Sequence, residues 1–129
     1  MGVIGTALSM SLDGFIAGQD GSSAGLHDWL TAGDTPSRFS PSFTMAAPSV
    51  EFFDQGVAGT GAVVAGRRTY DVSSAWGGRG PVPGLPLVVL THRVPGSVPA
   101  GDPPYTFVTD GIEAAVGRAQ EMAGGRECT

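Results

Sequence analysis

Apolar residues along this chain fall into short runs set between stretches of turn-forming residues. Residues 3–10 (VIGTALSM) are apolar and partly β-branched, and the Asp13-Gly14 turn signal follows them, which predicts a buried strand near the N-terminus. Phe15-Ile16-Ala17 is a further apolar triplet, bounded by Asp20-Gly21. Residues 26–30 (LHDWL) predict one helical turn with Leu26, Trp29 and Leu30 on one face. Residues 31–48 are rich in Ser, Thr, Pro and Gly, with Phe39 and Phe43 as isolated anchors, and read as a long irregular loop, a flap or an insertion. Ser49 is placed to cap a short helix through Val50, Phe52 and Phe53 that ends at Gly56. Residues 61–65 (GAVVA) predict a buried strand, and Gly66-Arg67-Arg68-Thr69-Tyr70 a turn leading into a helix. Residues 76–86 are all turn chemistry, and residues 87–91 (LVVLT) are the clearest buried strand. Residues 105–109 alternate like a strand. Asp110, with Glu113 three positions on, is a capping-box variant opening a helix. Ile112, Ala115, Val116, Ala119 and Met122 mark its apolar stripe, and Gly124-Gly125 stops it.

Strands alternating with helices predict an α/β fold with a mostly parallel sheet flanked by helices, in a single domain over residues 1–129. The 21 glycines and 10 prolines fit a chain of many tight turns. A net charge of −5 disfavours a phosphate backbone as partner, so nucleic-acid binding is not expected. All seven basic side chains are arginines, and Arg67, Arg68, Arg79 and Arg93 fall mid-chain, where a local cluster can hold a small anion. The single cysteine, Cys128, rules out an internal disulfide and a cysteine-built zinc site. No stretch approaches 18 continuous apolar residues, and the first residues lack a signal-peptide pattern; no membrane partner and a cytoplasmic location are expected. No metal site is expected either, because His27 and His92 have no acidic cluster at matching spacing.

Ligands of open α/β sheets gather beyond the carboxyl ends of parallel strands, so three strand-to-loop junctions are candidates. At the first, Gly66 ends a strand and a helix starts at once. Its free N–H groups, Arg67, Arg68 and the Thr69 hydroxyl would make a phosphate seat, or the arginines are merely solvated or paired with acids; spacing does not separate the two. At the second, Thr91, His92 and Arg93 offer a hydroxyl, an imidazole and a guanidinium to a ribose phosphate, or form an ordinary polar loop. At the third, Asp13 could orient a substrate amine or water, or simply form an Asp-Gly turn. Asp28 is the other candidate acid, with helix capping as its structural alternative.

Residues 9–17 (SMSLDGFIA), 26–29 (LHDW), 66–70 (GRRTY) and 90–93 (LTHR), in that order, resemble the bacterial RibD C-terminal-domain family, whose fold is that of dihydrofolate reductase. The resemblance runs from about Val3 to Gly125. It implies NADPH bound across the sheet and hydride transfer to a carbon–nitrogen double bond of a small heterocyclic or ribosylated substrate. Ser9 and Ile16 would border the nicotinamide; Gly66, Arg67, Arg68 and Thr69 would hold the pyrophosphate and adenosine side. Thr91, His92 and Arg93 would lie by the adenosine 2′-phosphate, with Asp13 at the substrate end. The family's founding reaction reduces a ribosylamino-pyrimidine in riboflavin biosynthesis. Such proteins continue past the helix at residues 110–123 into another central strand ending in a phosphate-binding Gly-Gly turn. Here residues 126–129 stand where that strand would begin, so a C-terminally truncated, incomplete sheet is expected. An N-terminal strand at an exposed sheet edge would then favour a homodimer. The alternative is an inactive paralogue or fragment serving only as a nucleotide-binding or self-associating module.

Overall fold

The computed structural model describes residues 2–129. The chain divides into two compact units, one of residues 6–58 and one that joins residues 2–5 to residues 59–129.

In the first unit, Asp28–Leu30 form a single 3-10 turn. Strand β1 (Thr35–Pro36) pairs antiparallel with β2 (Thr44–Met45), so the stretch expected to be irregular carries a small ribbon. Its polar groups explain why it can order. Ser37 donates its hydroxyl to the Asp54 carboxylate, the Arg38 amide reaches the same carboxylate at 3.1 Å, and Met45 is fully buried. Phe43 meets Phe53 edge-on, with ring centroids 5.7 Å apart. Helix α1 (Ala47–Gly59) is longer at both ends than Ser49 and Gly56 suggested. Pro48 sits in the first turn, where its missing N–H breaks no helical bond, and Ser49 lies inside the helix rather than capping it. Tertiary burial of Val50 and Val57, two turns apart, carries the helix past Gly56.

The second unit runs through β3 (Thr60–Gly66), α2 (Arg67–Val72), a tight turn at Ser74–Gly78, β4 (Leu87–Leu90), β5 (Thr106–Val108), α3 (Ile112–Ala123) and β6 (Glu127–Cys128). The sheet order is β5-β4-β3-β6, and every pairing is parallel. Alternation along the strands sends side chains to two separate cores. Ala62, Val64, Val88, Leu90 and Val108 pack with Ala115, Ala119 and Ala123 of α3. Val63, Ala65, Leu87, Val89 and Phe107 pack on the other side with Tyr70 of α2, Ala75, Trp76 and Tyr105. Both faces are therefore covered, which is why β4 reads as an uninterrupted apolar run. Tyr70 meets Tyr105 and Phe107 edge-on at 6.0 and 5.6 Å.

Helix α3 differs from expectation in two details. Its buried stripe is three alanines, whereas Ile112 lies outside it and is 58% exposed. These small residues let the helix lie close to β3, where a Cβ on Gly61 would come within 2.4 Å of the Ala123 carbonyl oxygen. The N-cap is Gly111, which has no side chain to cap with; Asp110 stands one residue too early, so the capping box does not form. At the other end Gly124 takes the left-handed conformation (φ 61°) and stops the helix, as its sequence position implied.

The strand expected over residues 3–10 is reduced to one parallel bridge between Ile4 and Cys128. The Cys128 amide donates to the Val3 carbonyl at 2.9 Å, and the Gly5 amide to the Cys128 carbonyl at 3.0 Å. With only two residues in β6, the segment finds no further ladder partners, and Val3 and Ile4 stay 69% and 57% exposed. Among the described residues no helix is long and apolar enough to cross a membrane.

Two buried titratable groups give the fold a pH signature. Burial pushes up the Cys128 thiol, and burial together with the neighbouring Tyr105 phenol pushes up the Tyr70 hydroxyl. The unfolded chain releases these protons near the ordinary values of about 8.5 and about 10, while the folded chain still holds them. Stability should accordingly be complete below that range and fall as pH rises through it. Urea midpoints between pH 7.5 and 10.5 test this: they should decline, and Cys128→Ala should flatten the lower part of the decline. A wild-type midpoint that stays level would contradict it. Gly61→Ala should lower stability by about 1–3 kcal/mol through overpacking against Ala123, read from the same titrations.

Candidate anion-binding site

The register of the sheet sets the site. Gly66 of β3 pairs with Leu90 of β4, and Leu90 pairs with Val108 of β5, so three parallel strands end side by side. Arg67, Thr91 and Thr109 are the next residues in each, and they emerge together over the carboxyl edge. A cavity of about 550 Å³ opens there, lined by Arg67, Leu90, Thr91, His92, Arg93, Thr109 and Gly111.

Arg67 organises it. Its Nε donates to both Asp71 carboxylate oxygens, at 2.9 and 3.1 Å. Its Nη1 donates to Thr91 Oγ1 at 3.1 Å and to the Arg93 carbonyl at 2.6 Å. The buried Thr91 hydroxyl donates to that same carbonyl at 2.8 Å and accepts the Arg93 amide at 3.3 Å. One donor and two acceptor positions are all a hydroxyl has, so Thr91 is fully occupied within the protein. Its contribution to the cavity is to fold residues 91–93 into a tight turn. The exposed side chains of His92 and Arg93 make no hydrogen bond or ion pair among the described residues.

The two readings of the first junction thus divide between its arginines. Arg67 is paired with an acid and also lines the cavity, whereas Arg68 and Thr69 are exposed on α2 and are not among the lining residues. Gly66, extended at φ −77° and ψ 160°, hands the chain from β3 to α2 beside them. Thr109 and Gly111 were not singled out from the sequence, although VTDGI at residues 108–112 is a strand-to-helix junction of the same kind. The signal was a glycine where a capping side chain is usual. Gly111, the N-cap of the twelve-residue helix α3, lines the cavity and offers no side-chain acceptor to the first N–H groups of that helix.

The remaining sequence candidates lie in the unit of residues 6–58. Ser9 Oγ accepts the Trp29 indole N–H at 3.0 Å. Asp13 accepts the Ser11 hydroxyl at 2.7 Å, inside a turn that the Phe15 amide closes onto Ser11 Oγ at 2.9 Å. Ile16 is 55% exposed. Asp28 begins the 3-10 turn, its carbonyl accepting the Thr31 amide at 3.0 Å.

Comparison with known proteins returns no matching family model and no matching curated protein. Among solved structures, the chain is similar to a protein of Shewanella sp. PV-4 whose name assigns it, provisionally, to riboflavin biosynthesis. The TM-score is 0.54 at 22% identity, over 98% of this chain and 60% of that one. The likeness is one of fold. It agrees with the α/β, dihydrofolate-reductase-like parallel sheet flanked by helices that the sequence predicts. The chain spans about 60% of the length of that neighbour.

Thr91→Val keeps the shape of the side chain and strands the Arg67 and Arg93 donors. It should destabilise by about 1–3 kcal/mol in urea unfolding, with Thr91→Ser recovering most of the loss. Equal stability of all three would show that the hydroxyl contacts are dispensable.

Proposed function

We propose that this chain belongs to an NADPH-dependent reductase, and that the cavity beyond β3, β4 and β5 receives the adenosine 2′-phosphate of the cofactor. The observation that carries the reading is the meeting of Arg67, Thr91, His92 and Arg93, drawn from two separate sequence motifs, at one strand edge. The residues suit a phosphate. Arg93 offers a guanidinium and His92 an imidazole that have no partner among the described residues, Arg67 a partly engaged guanidinium, and α3 a helix N-terminus without a side-chain cap. Such a site lets an acidic protein of net charge −5 bind an anion locally.

When bound, the cofactor would supply a hydride for a carbon–nitrogen double bond. The chain's own residues would bind and orient it, with Gly66, Arg67, Arg68 and Thr69 toward the pyrophosphate and adenosine side. Ser9 and Ile16 would border the nicotinamide and Asp13 would sit at the substrate end, with Asp28 as the other candidate acid. These assignments rest on the resemblance of the sequence motifs. The name of the Shewanella neighbour, which assigns that protein provisionally to riboflavin biosynthesis, is in keeping with this reading, while the ribosylated or heterocyclic substrate rests on the motif resemblance. Catalysis in such a site is chiefly positioning of donor and acceptor.

Arg93→Ala tests the reading. Loss of one charge-assisted phosphate contact should weaken NADPH by about 10- to 100-fold while NADH changes little, measured by fluorescence titration. Equal losses for the two cofactors, or saturable binding of neither by the folded wild type, would refute it.

A further inference from the structure

We propose that Asp71 is a positioning residue of this anion site, holding Arg67 so that the turn at residues 91–93 is formed before any ligand arrives. The proposal rests on the phosphate reading of the cavity and adds to it a residue that itself lies outside the lining. An Arg–Asp pair at i,i+4 with side chains 36% and 53% exposed contributes little to stability, and arginine preceding the acid is the weaker order on a helix. Its geometric effect is larger. Two carboxylate contacts fix Nε on one side of the guanidinium, while Thr91 Oγ1 and the Arg93 carbonyl fix Nη1. Only Nη2 has no partner among the described residues, so the plane of Arg67 is set before it meets an anion. Because Asp71 also balances the charge of Arg67, net attraction comes from Arg93, while the His92 imidazole offers a hydrogen-bonding edge and Arg67 gives direction and holds the turn.

Two opposite effects make this decidable. Removing a carboxylate near an anion site should by Coulomb's law strengthen anion binding. Releasing Arg67 and the turn should weaken it. The test titrates adenosine 2′,5′-bisphosphate and adenosine 5′-monophosphate into wild type, Asp71→Ala, Asp71→Glu and Arg67→Lys, with thermal melts as folding controls. Wild type should prefer the bisphosphate by about tenfold or more, as one charge-assisted contact provides. Asp71→Ala should lose most of that preference, and Asp71→Glu should regain part of it. Arg67→Lys should resemble the alanine variant despite keeping its charge, since an ammonium cannot span the same fork. Unchanged or tighter bisphosphate binding by folded Asp71→Ala would overturn the proposal while leaving the phosphate site standing. Should the alanine variant not fold, Asp71→Asn is read in the same way. If wild type shows no preference, the phosphate reading itself fails. The positioning claim is then decided by nuclear magnetic resonance: a slowly exchanging Arg67 Nε–H and rigid His92 and Arg93 amides, both lost in Asp71→Ala, support it, and no difference between the two proteins overturns it.

Discussion

The second unit depends on the burial of β4 between two helical layers. Leu87, Val88 and Val89 are fully inaccessible, and they alternate between the α3 core and the Tyr70 core. A one-residue slip of this strand would exchange its faces and put each side chain into the wrong core, so packing specifies its register tightly. Register in turn aligns Gly66, Leu90 and Val108, and that alignment brings the three residues that follow them, from distant parts of the chain, to one edge. Hydrophobic packing thereby locates the polar site.

The site is economical in charge. Arg67 is committed to Asp71, Thr91 and Arg93, and the Thr91 hydroxyl has no bonding capacity left. What remains for a ligand is the outward set of His92 and Arg93, one guanidinium nitrogen of Arg67 and the uncapped start of α3. A preformed turn of this kind avoids ordering its residues at the moment of binding, which would otherwise subtract from affinity. The absence of a capping side chain at Gly111, which lines the cavity, leaves the first backbone donors of α3 without a side-chain acceptor.

Several elements were legible because their signals are local. The apolar run at residues 87–91, the strand at 61–65 passing into Gly66-Arg67, the alternation at 105–109 and the glycine stop at 124 each express a preference that a few neighbouring residues enforce. The junction motifs were legible for the same reason, since a glycine or polar cluster after a buried strand marks where the chain leaves the sheet. Errors fell where a distant partner decides. Residues 3–10 have the composition of a strand, yet a strand exists only where another chain segment supplies its hydrogen bonds, and β6 supplies one bridge. Residues 31–48 look irregular, but Asp54 and Phe53 of α1 give the ribbon its polar and aromatic partners.

Composition and periodicity alone were enough for the α/β class, the alternation of elements and the arginine- and threonine-bearing junctions, because backbone preference and amphipathic period are written in adjacent residues. Tertiary structure decided which of those residues meet. It paired Arg67 with Asp71 and Thr91, kept Arg68 and Thr69 out of the cavity, and added Thr109 and Gly111 to it. The physical reason is that a binding site is a set of distances between elements, and those follow from strand register and two-sided packing, which no local pattern encodes.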